Sequence, residues 1–309
     1  MQFLLLLSVV VLCTSSSELP DSSSCASPTA LPSTTQDVIL ASVHKTSDPL
    51  CYCKPLISSW KRLNSQSRLV LFIQDIYMNS SNKKYIEFLQ YLNDNNVEIQ
   101  VNSYNNYGLL MARFHYFFKY ISRNYPQINR VLMVDARDVL FWEDPFPFIS
   151  HHQFFLVYEG CNGDHTYRNT KGSNRIWLKK LFGYPLVKQY KHKNKGIANC
   201  GVMGGGKRNV HKVLKSMIRT HETFGKRGDS YGNDMAIINY LFHSGTFKKL
   251  KVDVEAKTMT NSGFGVVMCD HWSFNGRPLM SNNCPLTLLH QWQNNQKGAS
   301  QIEEYIDYC

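Results

Sequence analysis

The stretch Val131–Phe146, which reads VLMVDARDVLFWEDPF, decides the predicted fold. Its first four residues are all apolar, which is typical of a strand that is buried on both faces of a sheet. The apolar run ends at Asp135, and a second carboxylate follows at Asp138. Because ligands of open α/β sheets bind where the strands end, we expect these two aspartates at a binding edge.

The rest of the chain alternates strand-like and helix-like segments around this stretch. We expect strands at Val38–Val43, Arg68–Gln74, Val97–Val101, Arg130–Val134 and Phe154–Tyr158. We expect helices at Lys83–Leu92, Tyr107–Ile121, Asn174–Phe182, Arg208–Glu222 and Asn233–His243. This alternation predicts an α/β fold with a mostly parallel sheet that is flanked by helices on both faces.

The N-terminus predicts a short targeting signal. Phe3–Cys13 reads FLLLLSVVVLC and is followed by small residues. At ~1.5 Å per residue this run makes ~16 Å of helix, too short for the ~30 Å core of a bilayer. We therefore expect a signal peptide over residues 1–17, although no basic residue precedes the apolar run. A buried N-terminal strand or helix is the alternative.

Without the predicted signal peptide, about 292 of the 309 residues remain. This length suffices for one large domain, since about 150 residues is a common domain size. Ser, Thr and Pro dominate residues 18–36, which predicts a flexible linker before a single domain over residues 37–309. No later segment is apolar enough to predict a membrane span. The expected location is the lumen of the secretory pathway (ER or Golgi) or the cell exterior.

Cysteine content agrees with a lumenal protein. Cleavage of the predicted signal removes Cys13 and leaves eight of the nine cysteines. An even number in an oxidising compartment favours disulfide bonds, whereas free buried thiols are the alternative. The triplet Asn79–Ser81 is a sequon for N-glycosylation, a pattern that also arises often by chance.

The chain is basic, with a formal net charge of +11. Much of the excess lies in Lys179–Lys195, where aromatic residues are interleaved with lysines. Nucleic acid is not an expected partner in the lumen, so acidic glycans, membrane surfaces or a nucleotide diphosphate fit this charge better. A solvated basic face without a partner is the alternative.

Asp135 and Asp138 have a direct chemical interpretation. Carboxylates at the end of a central strand chelate hard divalent cations, and such a cation neutralises a diphosphate and helps it to leave. The alternative is a surface ion-pair cluster of Arg137, Asp138 and the acidic residues Glu143 and Asp144.

The stretch Val131–Phe146 also resembles the metal-binding motif of glycosyltransferases with the GT-A fold. More narrowly, it is similar to predicted nucleotide-diphospho-sugar transferases whose motif reads DxRDVxF, often followed by DPF. Three further segments fit that group in the same order: Asn199–Gly206 (NCGVMGGG), Asn233–Leu241 (NDMAIINYL) and Leu288–Trp292 (LLHQW). The resemblance thus extends over about residues 68–295.

This resemblance implies a set of site residues. Mn²⁺ or Mg²⁺ is expected on Asp135, Asp138 and His290; the donor is expected at Asn199, Gly201, Gly204 and Gly205; and Asp234 is the expected catalytic residue beside the donor sugar. Each also has a plain structural alternative: a core histidine, a strand-to-helix turn for the glycines, and a helix-start carboxylate favoured by the dipole.

Two positions depart from the family pattern. Arg137 stands where the common DxD motif has its second aspartate, and Met235 stands where the helix motif has glutamine. The implied function is transfer of a sugar from a nucleotide-diphosphate sugar to a glycan, protein or lipid acceptor, with inversion or retention left open. The alternatives are a non-catalytic secreted glycan-binding protein that keeps the fold, which Arg137 and Met235 favour, and a metal-dependent hydrolase.

Overall fold

A computed structural model describes residues 28, 30–44, 46–78, 81–103, 109–160, 165–170, 172–225, 231–257, 264–266, 272–274, 278–280, 285–294 and 302–303. The predicted signal peptide and the sequon asparagine lie outside the described residues. Within the described part of the chain, no helix is both long and apolar enough to cross a membrane.

The described strands are β1 (Val38–Ser42), β2 (Arg68–Gln74), β3 (Glu98–Asn102), β4 (Arg130–Val134), β5 (Val139–Phe141), β6 (Phe154–Tyr158), β7 (Ala198–Gly206), β8 (Val254–Lys257), β9 (Phe264–Val266), β10 (Trp272–Phe274), β11 (Pro278–Met280) and β12 (Leu288–His290). The described helices are α1 (Pro49–Arg62), α2 (Lys83–Asp94), α3 (Leu109–Arg123), α4 (Ser173–Phe182), α5 (Tyr184–His192), α6 (Lys207–Phe224), α7 (Asn233–His243) and α8 (Thr246–Lys249).

In the described part of the chain, a seven-stranded sheet has the order β3-β2-β1-β4-β7-β6-β8. All its strands are parallel except β7, which runs antiparallel to both β4 and β6. A smaller sheet joins β5, β12 and β9. The predicted α/β fold with a mostly parallel sheet is confirmed.

Two hydrophobic cores lie on the two faces of the large sheet. Alternate residues of β1 serve them: Leu40 belongs to the core that includes Phe117 of α3, and Ile39 to the core that includes Leu56 of α1. Helices α6 and α7 add to the first core, and α2 adds to the second. This arrangement follows from the period-two alternation of side chains along a strand, which sends neighbouring residues to opposite faces.

A buried ion pair anchors the segment before β1. The Arg130 guanidinium on β4 donates to Asp37 Oδ2 at 2.6 Å and to the carbonyl oxygens of Leu31 and Pro32 at 2.8 Å. Arg130 and Asp37 are 1% and 0% exposed, so the two charges compensate each other away from water. These contacts attach Leu31 and Pro32, which lie in the described part of the predicted linker, to the domain.

Candidate metal centre and adjoining cavity

Local chain geometry brings the two aspartates and the histidine together. Asp135 follows the last residue of β4, and Asp138 immediately precedes β5. Strand β5 pairs antiparallel with β12, so Val139 lies opposite His290. The Gln291 N–H donates to the Asp138 carbonyl at 2.8 Å and secures this crossing. Residues that are about 150 positions apart thus meet at the carboxyl end of a central strand.

The three side chains form one cluster. His290 Nε2 lies 3.2 Å from Asp135 Oδ2 and 3.4 Å from Asp138 Oδ1. One ligand atom of each residue lies within 4.8 Å of the others, a spacing that could hold a metal ion. Two carboxylates and an imidazole make a donor set suited to a divalent cation. The Asp138 side chain thus lies beside His290, whereas the side chain of Arg137, the residue before it, is exposed to solvent.

Two opposing effects set the pKa of His290. Its side chain is buried, which would lower the pKa, but Asp138 and Asp135 outweigh this and raise the pKa to about 10. The ring is therefore protonated at neutral pH when no cation is bound. Coordination through Nε2 would displace this proton, because a metal binds the neutral imidazole.

Arg113 on α3 also belongs to this site, although it is not among the site residues that the sequence predicts. Its guanidinium forms one ion pair with Asp135 Oδ1 and another with Asp234 Oδ2, the latter at 3.1 Å. The Arg113 side chain is only 6% exposed, and Asp234 only 2%. Burial would raise the pKa of Asp135, but Arg113 and His290 hold it well below its usual range. A fixed cation therefore already neutralises part of the candidate metal centre.

Asp234 lies at the first turn of α7, as the sequence predicts. Its Oδ2 also accepts from Cys200 Sγ at 3.2 Å, and its Oδ1 accepts from the Met235 N–H at 2.8 Å. Met235 also contacts Cys200, since its sulfur accepts a hydrogen bond from the Cys200 N–H at 3.3 Å. The carboxylate is thus held by α3, α7 and β7 together.

The predicted donor residues on β7 divide into two groups. Asn199 and Gly201 line a cavity beside the metal cluster. A Cβ added to Gly201 would lie 2.6 Å from His290 Nε2 and 2.7 Å from Asp135 Oδ2, so only glycine leaves room here. Gly204 and Gly205 instead fill the sheet, where an added Cβ would meet neighbouring backbone, and they do not line this cavity.

The cavity has a volume of about 330 Å³ and is lined by two members of the metal cluster, Asp135 and His290. Its walls include Arg113, Asp135, Glu159, Asn174, Trp177, Asn199, Gly201, Tyr231, Asp234 and His290. Trp177 packs edge-on against Tyr231 with ring centroids 5.7 Å apart, and Tyr231 is 75% exposed. Charged groups and aromatic rings therefore share one opening, which is suited to a polar ligand with apolar faces.

Three cysteines can be described. Cys51 is disulfide-bonded, whereas Cys53 and Cys200 are free and buried. Burial raises the pKa of both free thiols, so neither is a reactive thiolate at neutral pH. The remaining cysteines lie outside the described residues.

We compared the chain with known protein families and with curated proteins. No family model matches the chain, and no curated protein is significantly similar to it.

Proposed function

We propose that the protein is a metal-dependent glycosyltransferase that moves a sugar from a nucleotide-diphosphate sugar to an acceptor. The observation that carries this proposal is the cluster of Asp135, Asp138 and His290 at the carboxyl end of β4, opening into a cavity. The donor set suits Mn²⁺ or Mg²⁺, and the cavity adds Asn199 and Asp234 for polar recognition.

Each group in this cavity has a separate role in the proposed reaction. When bound, the cation would neutralise the diphosphate and favour its departure. Gly201 leaves the space beside the cluster free, and the Asn199 side chain is fixed because its Oδ1 accepts from the Gly201 N–H at 2.6 Å. Asp234 presents a negative charge that would stabilise positive charge developing on the donor sugar, and Arg113 holds that carboxylate in position.

One observation favours a non-catalytic alternative. Because Arg113 pairs with Asp135, the cluster is partly neutralised without any cation. A secreted glycan-binding protein could keep this ion pair for stability alone. The two functions differ in whether donor binding depends on a divalent cation.

Calorimetric titration tests the proposal. UDP-glucose, UDP-galactose, UDP-N-acetylglucosamine and GDP-mannose are titrated with and without Mn²⁺ into the wild type and variants. We expect Asp135→Asn to abolish Mn²⁺-dependent binding and Asp138→Asn to weaken it at least tenfold, about 1.4 kcal/mol. His290→Ala should do less, because water replaces one ligand of a hard cation. Asp94→Asn, at an exposed residue that ends α2, is the matched control.

The outcomes separate the alternatives. Mn²⁺-dependent donor binding that is present in the wild type and in Asp94→Asn but absent from Asp135→Asn supports the glycosyltransferase. Donor binding that is indifferent to Mn²⁺, or undiminished in Asp135→Asn, removes the cluster from the donor site. Consumption of the donor by water with no transfer to any sugar acceptor would instead indicate a hydrolase.

A further inference from the structure

Glu159 is a buried carboxyl group that the function proposed above does not use. It directly follows β6, is 3% exposed, and lines the cavity that also contains Asp135 and His290. The buried Asp37 and Asp234 and the half-buried Asp135 have an arginine partner: Arg130 for Asp37, and Arg113 for Asp135 and Asp234. Among the described residues, no arginine or lysine pairs with Glu159, so its carboxyl group lacks the ion-pair partner that the others have.

Two amide groups hold the carboxyl group in a defined orientation. Asn174 Nδ2 of α4 donates to Oε2 at 3.0 Å, and Asn199 Nδ2 of β7 donates to Oε1 at 3.3 Å. Because Asn199 Oδ1 accepts from the Gly201 N–H, the Asn199 amide must present its NH₂ group to Glu159. Glu159 is therefore held as an acceptor, and each carboxylate oxygen keeps a further lone pair.

The same contacts link Glu159 to the metal cluster. Asn199 bridges Glu159 and Gly201, and Gly201 packs against the side chains of His290 and Asp135. The candidate leaving-group site and a carboxyl group without an arginine partner thus share one cavity wall. An acceptor hydroxyl that approaches a donor bound at the cluster would enter the cavity beside Glu159.

We propose that Glu159 is the general base that removes the proton from the acceptor hydroxyl, and that the sugar is transferred with inversion. This role rests on the glycosyltransferase function proposed above. The hydroxyl proton moves to a Glu159 oxygen while the acceptor oxygen forms a bond to the anomeric carbon. The bond from that carbon to the diphosphate oxygen breaks, and its electron pair leaves with the nucleoside diphosphate. A single displacement of this kind inverts the anomeric centre.

The electrostatic environment agrees with this role. Burial raises the pKa of Glu159 to about 7, even though the Asn199 and Asn174 amides and His290 act in the opposite direction. Among the described residues, two further ionisable groups are Tyr167, which interacts with Glu159, and His165, which lines the same cavity. A base is most effective when its pKa lies near the working pH. Transfer should therefore rise with pH through about 7, as the carboxylate forms.

Glu159→Gln is a suitable variant because the site can accommodate it. Asn174 Oδ1 is buried and has no hydrogen-bond partner among the described residues. If the Asn174 amide turns over, its oxygen accepts from the new Gln NH₂ group, while the Gln oxygen still accepts from Asn199. The variant should fold, and thermal unfolding checks this. Glu222→Gln, at an exposed position on α6, is the matched control.

The experiment measures nucleoside diphosphate release and product from the four donors named above, with Mn²⁺ and a set of monosaccharide acceptors. We expect Glu159→Gln to bind donor within about twofold of wild type and to transfer sugar about 10²–10⁴-fold more slowly, the usual worth of a general base. The rise of kcat/KM with pH near 7 should be lost in the residual activity. Proton NMR of the wild-type product should show an inverted anomeric configuration.

Several results overturn the role. A retained anomeric configuration, a Glu159→Gln rate equal to that of Glu222→Gln, or a change in KM alone each removes Glu159 as the base. In those cases the wild type still binds and consumes a donor, so the glycosyltransferase proposal survives. If the wild type neither binds nor consumes any donor, the proposed function fails and the role of Glu159 fails with it.

Discussion

Replacing Arg113 with glutamine should convert the candidate metal centre from a site neutralised by a protein cation into one that depends on an added cation. Arg113 is paired with both Asp135 and Asp234, and all three side chains lie in the interior or at the cavity wall. Glutamine keeps hydrogen-bonding capacity but removes the positive charge. Two carboxylates would then share a buried region without their arginine.

The magnitude follows from the burial of the pair. Removing one partner of a buried ion pair costs about 3–5 kcal/mol, because the remaining charge is neither solvated nor compensated. Asp135 is 29% exposed in its side chain and Asp234 only 2%, so most of this penalty should arise at Asp234. The midpoint temperature of unfolding should fall by about 2–4 °C for each kcal/mol of stability lost in a domain of this size class.

Mn²⁺ should restore part of the lost stability. A ligand that binds only the folded state stabilises it by about 2.7 kcal/mol at a hundredfold excess over its Kd. In Arg113→Gln the cation no longer competes with a guanidinium for Asp135, so its affinity should rise. Rescue should remain partial, since Asp234 does not belong to the group that could hold the ion.

The assay is thermal or urea unfolding of the wild type, Arg113→Gln and Arg123→Gln, each with EDTA or with Mn²⁺. Arg123 is exposed on the same helix, and its replacement should change stability by no more than about 0.5 kcal/mol. If Arg113→Gln is as stable as Arg123→Gln in EDTA, the buried ion pairs contribute nothing measurable. If Mn²⁺ stabilises all three proteins equally, Arg113 does not compete with the cation for Asp135.

Two further predictions concern the cavity and the response to acid. Gly201→Ala should abolish Mn²⁺ binding in calorimetry, because its Cβ would lie 2.7 Å from Asp135 Oδ2; Gly172→Ala, on the same cavity with its nearest contact at 3.7 Å, should not. Desolvation lowers the pKa of the half-buried His243 to about 4, so the stability it contributes is present above its unfolded pKa of 6.5 and is lost as pH falls toward 4. At pH 5 this loss of stability is roughly 2 kcal/mol. In urea unfolding, His243→Gln, which still donates to Gly196 O, should therefore lose about that much less stability than the wild type between pH 7 and pH 5. Equal losses in the two proteins would contradict this.

The sheet could be predicted wherever the sequence is continuously apolar. Strands β2, β4 and β6 have the predicted bounds, because apolar runs of this length between polar segments are long enough for a buried strand but short for a helix. Helix α7 also has its predicted bounds. Helix α1 was not predicted. Its sequence PLCYCKPLISSWKR contains two prolines, yet Asp48 caps its first turn and Leu56 and Trp60 pack into a core. Tertiary packing thus outweighs a weak intrinsic preference.

The predicted metal residues meet in space, but their neighbour Arg113 is not among the predicted site residues. The aromatic stripe of α3, LLMARFHYFFKYISR, indicates a helix that packs on a core and by itself says nothing of a charge in the site. Arg113 lies three residues after Leu110 and four before Phe117, so it occupies the buried face of that helix. A single charge on an apolar stripe must find a partner, which was a usable signal for an ion pair at the sheet edge.

Glu159 repeats the pattern that identified Asp135. Each carboxyl group directly follows an apolar run, VLMV before Asp135 and FFLVY before Glu159. Strands β4 and β6 are parallel to each other and separated only by β7, so both runs end at the same edge of the sheet. Their environments then diverge. Arg113 keeps Asp135 charged, whereas burial raises the pKa of Glu159, which no described arginine or lysine pairs with, to about 7. One edge of the sheet thereby carries a carboxylate suited to a cation and another suited to a proton.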